Sequence, residues 1–377
     1  MRLGEGKGGV DTLWAKHPRP FWHKAPVLFS PCAGGALAVS YPSTPLVSIE
    51  FSYLCVLFAM HLCRSAEAVV VHAPAKLNLF FEVLAKRSDG YHEVETLMYP
   101  IGLYDTLTFQ EDPSGQVQLS CKQVFGAVGR RRRRGASTGA DKLPEGQDNL
   151  VVRALELVRQ TAGITRGAAV RLIKRIPMAA GLGGGSSDAA AALVAANIGW
   201  DLKLGTDVLF RLAAQLGSDV PFFLARSAAI CRGRGERLEP IRRTAQLHFV
   251  LARPAVGLST AAVYAACRPA EQPRDVAPLC HALARGDVRQ LGELLWNRLQ
   301  PTAAALCPAV EEMERTFAAF ELPGYGMSGS GTAYFGLCRR AQDAQRIARR
   351  LRANGVWNVF AVRGCRQGSG DSGWPAM

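Results

Sequence analysis

The sequence predicts an α+β protein of two domains, and three observations carry that prediction. β-rich runs crowd residues 69–120 before helical patterns take over. A Gly-rich loop at 177–187 falls between a strand pattern and an Ala-rich helix. The chain then closes on a strand, a helix and a strand, which suggests a split βαβ sandwich for the second domain. At 377 residues the chain also exceeds the usual size of one hydrophobic core.

Residues 1–66 stand apart. Trp, His, Pro and Gly mix there without period up to an apolar stretch, 47–63, that Glu50 interrupts. That stretch is short and flawed for a membrane span, which needs about 20 apolar residues. It also lies too far along the chain for a signal peptide. Four readings stay open: a disordered extension, an organelle-targeting segment, a membrane anchor, or upstream sequence misread as coding. The first domain is expected over 67–241.

Runs 69–72 and 77–84 read as strands separated by Ala73-Pro74-Ala75-Lys76, and Ser88-Asp89-Gly90 is a turn signal. Runs 106–110 and 117–120 alternate as two further strands. The segment 126–147 holds Arg130-Arg131-Arg132-Arg133-Arg134 among Gly, Ser and Thr; like charges repel and small polar residues build no core, so a solvated loop is expected. Asp148-Asn149 is placed to cap a helix over 150–162. A strand at 169–173, the Gly-rich loop and a helix over 188–198 follow. Thr206 is expected to cap a helix over 207–216 that Gly217 ends.

The second domain, 242–365, opens with a strand at 248–252. Short helices follow around Ala261, Val276, Gln290 and Ala309. A strand at 332–337, a helix at 343–353 stopped by Asn354-Gly355, and a strand at 357–362 complete it, leaving 366–377 as a frayed tail.

Composition narrows the class. Hydrophobic residues make 48% of the chain and charged residues 20%, ordinary for a soluble globular protein. The net charge of +14 favours an anionic partner, whether nucleic acid, a membrane surface or a phosphorylated metabolite, although the arginine run supplies part of it. Ten cysteines occur without a single C-x-x-C pair, so zinc clusters and thioredoxin-like chemistry lack their spacing and reduced thiols in a cytoplasm-like compartment are expected.

The strongest local signal is Pro177-Met178-Ala179-Ala180-Gly181-Leu182-Gly183-Gly184-Gly185-Ser186-Ser187. Glycines after a strand and at a helix start let backbone N–H groups close on an anion. No Gly-Lys-Ser/Thr closes the loop, so it is not a Walker A motif, and it lacks the third glycine of the dinucleotide fingerprint. The competing explanation is close helix packing. A second turn, Gly326-Met327-Ser328-Gly329-Ser330-Gly331, suggests a phosphate site closed from two sides. Asp219, in Gly217-Ser218-Asp219-Val220-Pro221, either caps the next element or does chemistry. Lys76, in an apolar strand entry, either snorkels or pairs with an acid.

Together Ala73-Pro74-Ala75-Lys76-Leu77-Asn78-Leu79, the loop, Gly217-Ser218-Asp219-Val220-Pro221 and Ser328-Gly329-Ser330-Gly331 resemble the GHMP kinase superfamily, in register from about residue 69 to 364. Asp89-Gly90-Tyr91-His92 followed by Glu95-Thr96-Leu97 is similar to its branch acting on a cytidine-diphosphate-linked sugar alcohol. The resemblance implies a ribosomal-protein-S5-domain-2-like first domain and a ferredoxin-like second domain. It implies transfer of the γ-phosphoryl group of ATP, with Mg²⁺, to the 2-hydroxyl of 4-diphosphocytidyl-2-C-methyl-D-erythritol in the non-mevalonate isoprenoid pathway.

By motif, Lys76 and Asp219 become the catalytic pair and the 177–187 loop the ATP phosphate site, with Lys174 and Asn149 as nucleotide neighbours. Asn78 helps place the acceptor; Tyr91 and His92 face the cytosine, joined by Thr260 and Tyr264. Gly329, Ser330 and Gly331 form the phosphate-side turn. The sequence departs from the family pattern at Ala179 and Ala180, and at Asn297-Arg298-Leu299-Gln300. The implied partner is a small molecule, with neither nucleic acid nor stable membrane association expected. The implied place is the cytoplasm, or a plastid if 1–66 is a targeting segment. The rival readings are another kinase of the superfamily, on homoserine, mevalonate or a sugar, and a non-catalytic RNA-binding protein.

Overall fold

A computed structural model describes residues 28–31, 37–40, 60–124, 146–225, 227–356 and 358–365. Most of the 1–66 segment, the arginine run with most of its loop, and the 366–377 tail lie outside them. In a short N-terminal unit, β1 (Leu28–Pro31) and β2 (Leu37–Ser40) pair antiparallel.

The main unit opens earlier than its patterning suggests. β3 (His61–Arg64) pairs antiparallel with the start of β4 (Val69–Lys86), and Met60 is buried in the core. The sheet thus takes in residues expected to stand outside it. β3 is a mostly exposed edge strand, so no alternation marks it.

β4 also joins the two runs expected on either side of Pro74. A register shift falls between Pro74 and Ala75, the kind of irregularity at which a strand accommodates a residue with no N–H. β5 (His92–Asp112) extends well beyond the expected 106–110. Its second half alternates buried and half-buried residues, but 96–101 is buried throughout and carries no period-2 signal. β6 (Val117–Gln123) runs parallel to β7 (Gly167–Lys174), with α1 (Leu150–Ala162) between them in the chain. Asn149 caps α1 as expected, accepting the Val151 N–H at 2.9 Å.

α2 begins at Gly184 rather than Asp188 and runs to Gly199 (Gly184–Gly199). Every residue from Ser187 to Ala196 is buried, as an Ala-rich helix without a polar face requires. α3 (Thr206–Leu216) starts on Thr206 itself, with Gly205 at the cap position. α4 (Val220–Leu224) and the hairpin of β8 (Ala229–Gly233) and β9 (Arg237–Pro240) were not signalled by any pattern.

The second half comprises β10 (His248–Ala252), α5 (Thr260–Ala266), α6 (Ala277–Arg285), α7 (Val288–Leu294), β11 (Trp296–Asn297), α8 (Leu299–Leu306), α9 (Pro308–Ala318), β12 (Gly324–Met327), β13 (Tyr334–Cys338), α10 (Ala341–Ala353) and β14 (Val359–Arg363). Two sheets result. The eight-stranded mixed sheet runs β11-β4-β5-β7-β6, with β3 on β4 and the β8–β9 hairpin on β5. The other is antiparallel, in the order β12-β13-β10-β14. Helices α1 to α4 pack on one face of the large sheet, and the other face packs on the second half around Leu77, Phe80, Tyr99, Phe249 and Phe335. Burial on both faces explains why the middle of β4 reads as a nearly continuous apolar run. Among the described residues no helix is long and apolar enough to cross a membrane.

Candidate active site

Lys76 is held inside β4 at 3% exposure, where an ammonium must have partners. Its Nζ donates to Asn78 Oδ1 at 2.5 Å and lies 3.4 Å from Asp219 Oδ2. Asn78 cannot turn away, because its Nδ2 donates to Thr96 Oγ1 at 2.8 Å and Thr96 in turn donates to the Phe80 carbonyl at 2.6 Å. Asp219 occupies the N-cap position of α4 but makes no capping bond. Its carboxylate is instead 31% exposed and paired with Lys76, so Asp219 does not cap α4 through its side chain and Lys76 pairs with an acid rather than snorkelling.

The Gly-rich loop reaches the start of α2 with Gly181 and Gly183 in left-handed conformations, φ 72° and 69°. No side chain caps α2, and Gly183 to Ser186 at its start line the cavity beside the loop, where the positive end of a helix suits an anion. Packing also demands glycine. A Cβ at Gly183 would stand 2.7 Å from Phe223 Cζ, and one at Gly181 would overlap the Ser328 carbonyl. Gly185 has only Leu150 at 3.8 Å. Close packing therefore accounts for Gly181 and Gly183 but not for Gly185.

The second turn is stitched to the first. Ser328 Oγ donates to the Gly181 carbonyl at 2.9 Å and accepts the Asn78 N–H at 3.2 Å, while the Ala333 N–H reaches the Ala180 carbonyl at 3.1 Å. Gly329 lies over the lysine: a Cβ there would be 2.9 Å from Asn78 Oδ1 and 3.4 Å from Lys76 Nζ. Asn297 Nδ2 fixes this turn by donating to the Met327 and Gly329 carbonyls, both at 2.8 Å, and Gln300 Oε1 accepts the Met327 N–H at 3.0 Å.

These elements enclose a cavity of about 400 Å³. Lys76, Asp219, Asn149, Lys174, Thr260, Tyr264, Gly329, Ser330 and the loop from Pro177 to Ser186 line it, together with Phe81, Asp148 and Asp188. Ser187 is buried in α2. Asn78 faces a separate cavity of about 140 Å³. His92 is buried with its ring 5.3 Å from that of Tyr264, whereas Tyr91 is 53% exposed.

Lys174 has no charge to spare for a ligand. Its ammonium bridges Asp105 and Asp188, and Asp105 also accepts the N–H groups of Arg175 and Ile176. Burial would push the Lys174 ammonium down, but the two carboxylates raise it. Burial pushes the Asp188 carboxyl up to about 8 against the pull of Lys174. Neither aspartate is singled out by a motif. One signal was there: Asp105 shares the core-facing side of β5 with Leu103 and Leu107.

An acid–lysine pair at the foot of a cavity closed by two glycine-rich turns belongs to a phosphotransferase for small molecules. Residues 149–227 match the family model described as GHMP kinases N terminal domain, and 279–356 the one described as GHMP kinases C terminal. The 4-diphosphocytidyl-2-C-methyl-D-erythritol kinase of Pelotomaculum thermopropionicum is 43% identical over 282 residues, 74% of this chain and 92% of the relative. That of Alkaliphilus metalliredigens is 37% identical, over 73% of this chain and 91% of its own. A crystal structure of 4-(cytidine 5'-diphospho)-2C-methyl-D-erythritol kinase superposes with a TM-score of 0.63 at 37% identity, over 79% of this chain and 99% of that one. The chain belongs to the 4-diphosphocytidyl-2-C-methyl-D-erythritol kinase family of GHMP kinases.

Proposed function

We propose that this chain transfers the γ-phosphoryl group of ATP to the 2-hydroxyl of 4-diphosphocytidyl-2-C-methyl-D-erythritol, in the non-mevalonate pathway to isoprenoid precursors. The observation that carries this reading is the Lys76–Asp219 pair, 3.4 Å apart, on the wall of the cavity that the glycine-rich turns bound. The relatives named for this reaction support it.

Phosphoryl transfer asks the protein mainly for alignment and charge stabilisation. The loop N–H groups and the start of α2 bind the ATP phosphates, with Asn149 beside the nucleotide. Lys76 neutralises charge that develops on the transferring group. Asp219 orients the acceptor hydroxyl and takes its proton as the new O–P bond forms and the bond to the β-phosphate breaks. Asn78 helps place the acceptor, chiefly by holding Lys76. His92, Tyr264 and Thr260 form the cytidine side with Tyr91.

Among the described residues no group of three or more His, Cys, Asp or Glu forms a metal cage. That fits Mg²⁺, which takes few protein ligands beside nucleotide phosphates. Ser187, whose buried Oγ has no partner, would hold it. When bound, the ion neutralises phosphate charge.

The same reading divides the main unit near residue 241 into an ATP-holding half and a second half, and the matched stretches 149–227 and 279–356 fall one on each side. ATP consumption measured with and without the acceptor tests the function. We expect turnover only with it, and acceptor-independent hydrolysis alone would overturn the reading.

A further inference from the structure

The β8–β9 hairpin, which no part of this catalytic scheme uses, reaches both ends of the acceptor site. β8 pairs with β5, with Gly233 opposite Val94, so the hairpin turn lies next to the start of β5, where Tyr91 and His92 stand. The Arg234 guanidinium covers one face of the Tyr91 ring, 4.9 Å from its centroid. The very next residue, Gly235, touches the catalytic end. A Cβ there would stand 3.8 Å from Asp219 Oδ1 and 3.7 Å from Ser218 Cβ. Successive Cα atoms are about 3.8 Å apart, so one short turn spans from the Tyr91 ring to the catalytic carboxylate.

Arg234 has little competition for its charge. Among the described residues its nearest carboxylate is Glu236, 4.0 Å from Nε, and that carboxylate is also occupied by the Arg234 backbone N–H at 2.7 Å. Asp89, the other acid nearby, is held by Arg87, which donates to both of its oxygens at 3.1 and 3.2 Å. The guanidinium is a third exposed and stacked on an aromatic ring, which pre-orients its planar fork. A fork of N–H donors held in this way fits the oxygens of a phosphate or diphosphate.

We propose that Arg234 is the clamp for the acceptor's diphosphate, gripping it between the base at Tyr91 and the hydroxyl at Asp219. The inference rests on the reading of Tyr91 and His92 as the cytosine site. An acceptor that spans those two points must carry its linking phosphates past the turn. Arg234 makes the site selective for nucleoside diphosphates over nucleosides without contacting the reacting atoms.

The test uses the full chain and three soluble probes, cytidine, CMP and CDP, as inhibitors competing with the acceptor. In the wild type, CDP binds more tightly than cytidine. Arg234→Gln should weaken CDP about 10- to 100-fold, the range for hydrogen bonds to a charged group, and leave cytidine and the KM for ATP within about twofold. Arg234→Lys should recover part of the loss, because a point charge remains but the fork does not. Tyr91→Ala should weaken all three probes alike. An unchanged CDP-to-cytidine ratio in Arg234→Gln would overturn the clamp, as would equal losses for both probes. Unaltered cytidine binding in Tyr91→Ala would instead remove the base-site reading, and the Arg234 ratio is measured independently of that outcome.

Discussion

Two lysine–aspartate groupings lie on the wall of the same cavity, and they differ in how far their charges are satisfied. Lys174 is 2% exposed between two buried carboxylates, and one of those, Asp105, also accepts backbone N–H groups. Lys76 is as deeply placed, yet its acid, Asp219, stays 31% exposed and makes no capping bond. A charge saturated by fixed partners stabilises a scaffold; a charge left with one loose, accessible partner can meet a substrate. The contrast teaches that residue type and depth alone do not mark the lysine proposed for catalysis.

The largest break in this contrast comes at the loose pair. Asp219→Asn keeps shape but removes basicity, so turnover should fall by roughly 10²–10⁴ while the melting temperature holds. Lys76→Met should do likewise, and the double variant should be scarcely worse than the poorer single one because the two act as a unit. Additive losses in steady-state assays would mean that they act independently.

At the saturated grouping the damage should move from rate to stability. Lys174→Met removes the cation that the two buried aspartates share and leaves the charge on Asp105 uncompensated, a loss of about 3–5 kcal/mol. Chemical denaturation should show it, and a variant as stable as the wild type would dissolve the distinction drawn here.

The smallest effect separates the two aspartates around Lys174. The Asp188 pKa rises to about 8 from 3.8, so between those values the folded protein keeps a proton that the unfolded chain has released. Its contribution to stability is complete below the lower value and is lost as pH rises through the upper one. Asp188→Asn mimics the protonated form and does not titrate, so its melting temperature should fall less steeply from about pH 5 to about pH 8 than that of the wild type. Parallel curves would remove the proton from Asp188.

What the sequence made legible follows from how local each requirement is. The 177–187 loop, Lys76 and Asp219 sit in short motifs, and the phosphate site proposed for the loop is built from consecutive backbone groups. The Lys174 grouping joins Lys174 to Asp105, 69 residues away, and no local spacing encodes that. The β8–β9 hairpin was missed for another reason. Its second strand alternates exposed and half-buried residues, and its turn is Arg-Gly-Glu, which reads as surface loop. At Pro74 the rule that proline interrupts a strand met a register shift that accommodates it.

β11 has a consequence for how this enzyme can change over generations. It follows α7 in the second half of the chain, yet it pairs parallel with Phe80 and Phe81 of the large sheet. Beside it, the buried Glu82 receives Arg298 Nε at 2.7 Å and the Trp296 indole at 3.0 Å. At the far end of the chain, the Cys365 N–H reaches the Pro100 carbonyl at 3.0 Å. The halves are therefore not exchangeable modules. A chimera that took its second half from a kinase without these residues would leave Glu82 without its Arg298 and Trp296 partners and Phe80 and Phe81 without β11. New acceptor preferences are left to accumulate by point changes in turns such as the half-buried one that carries Arg234, outside the strands of either sheet.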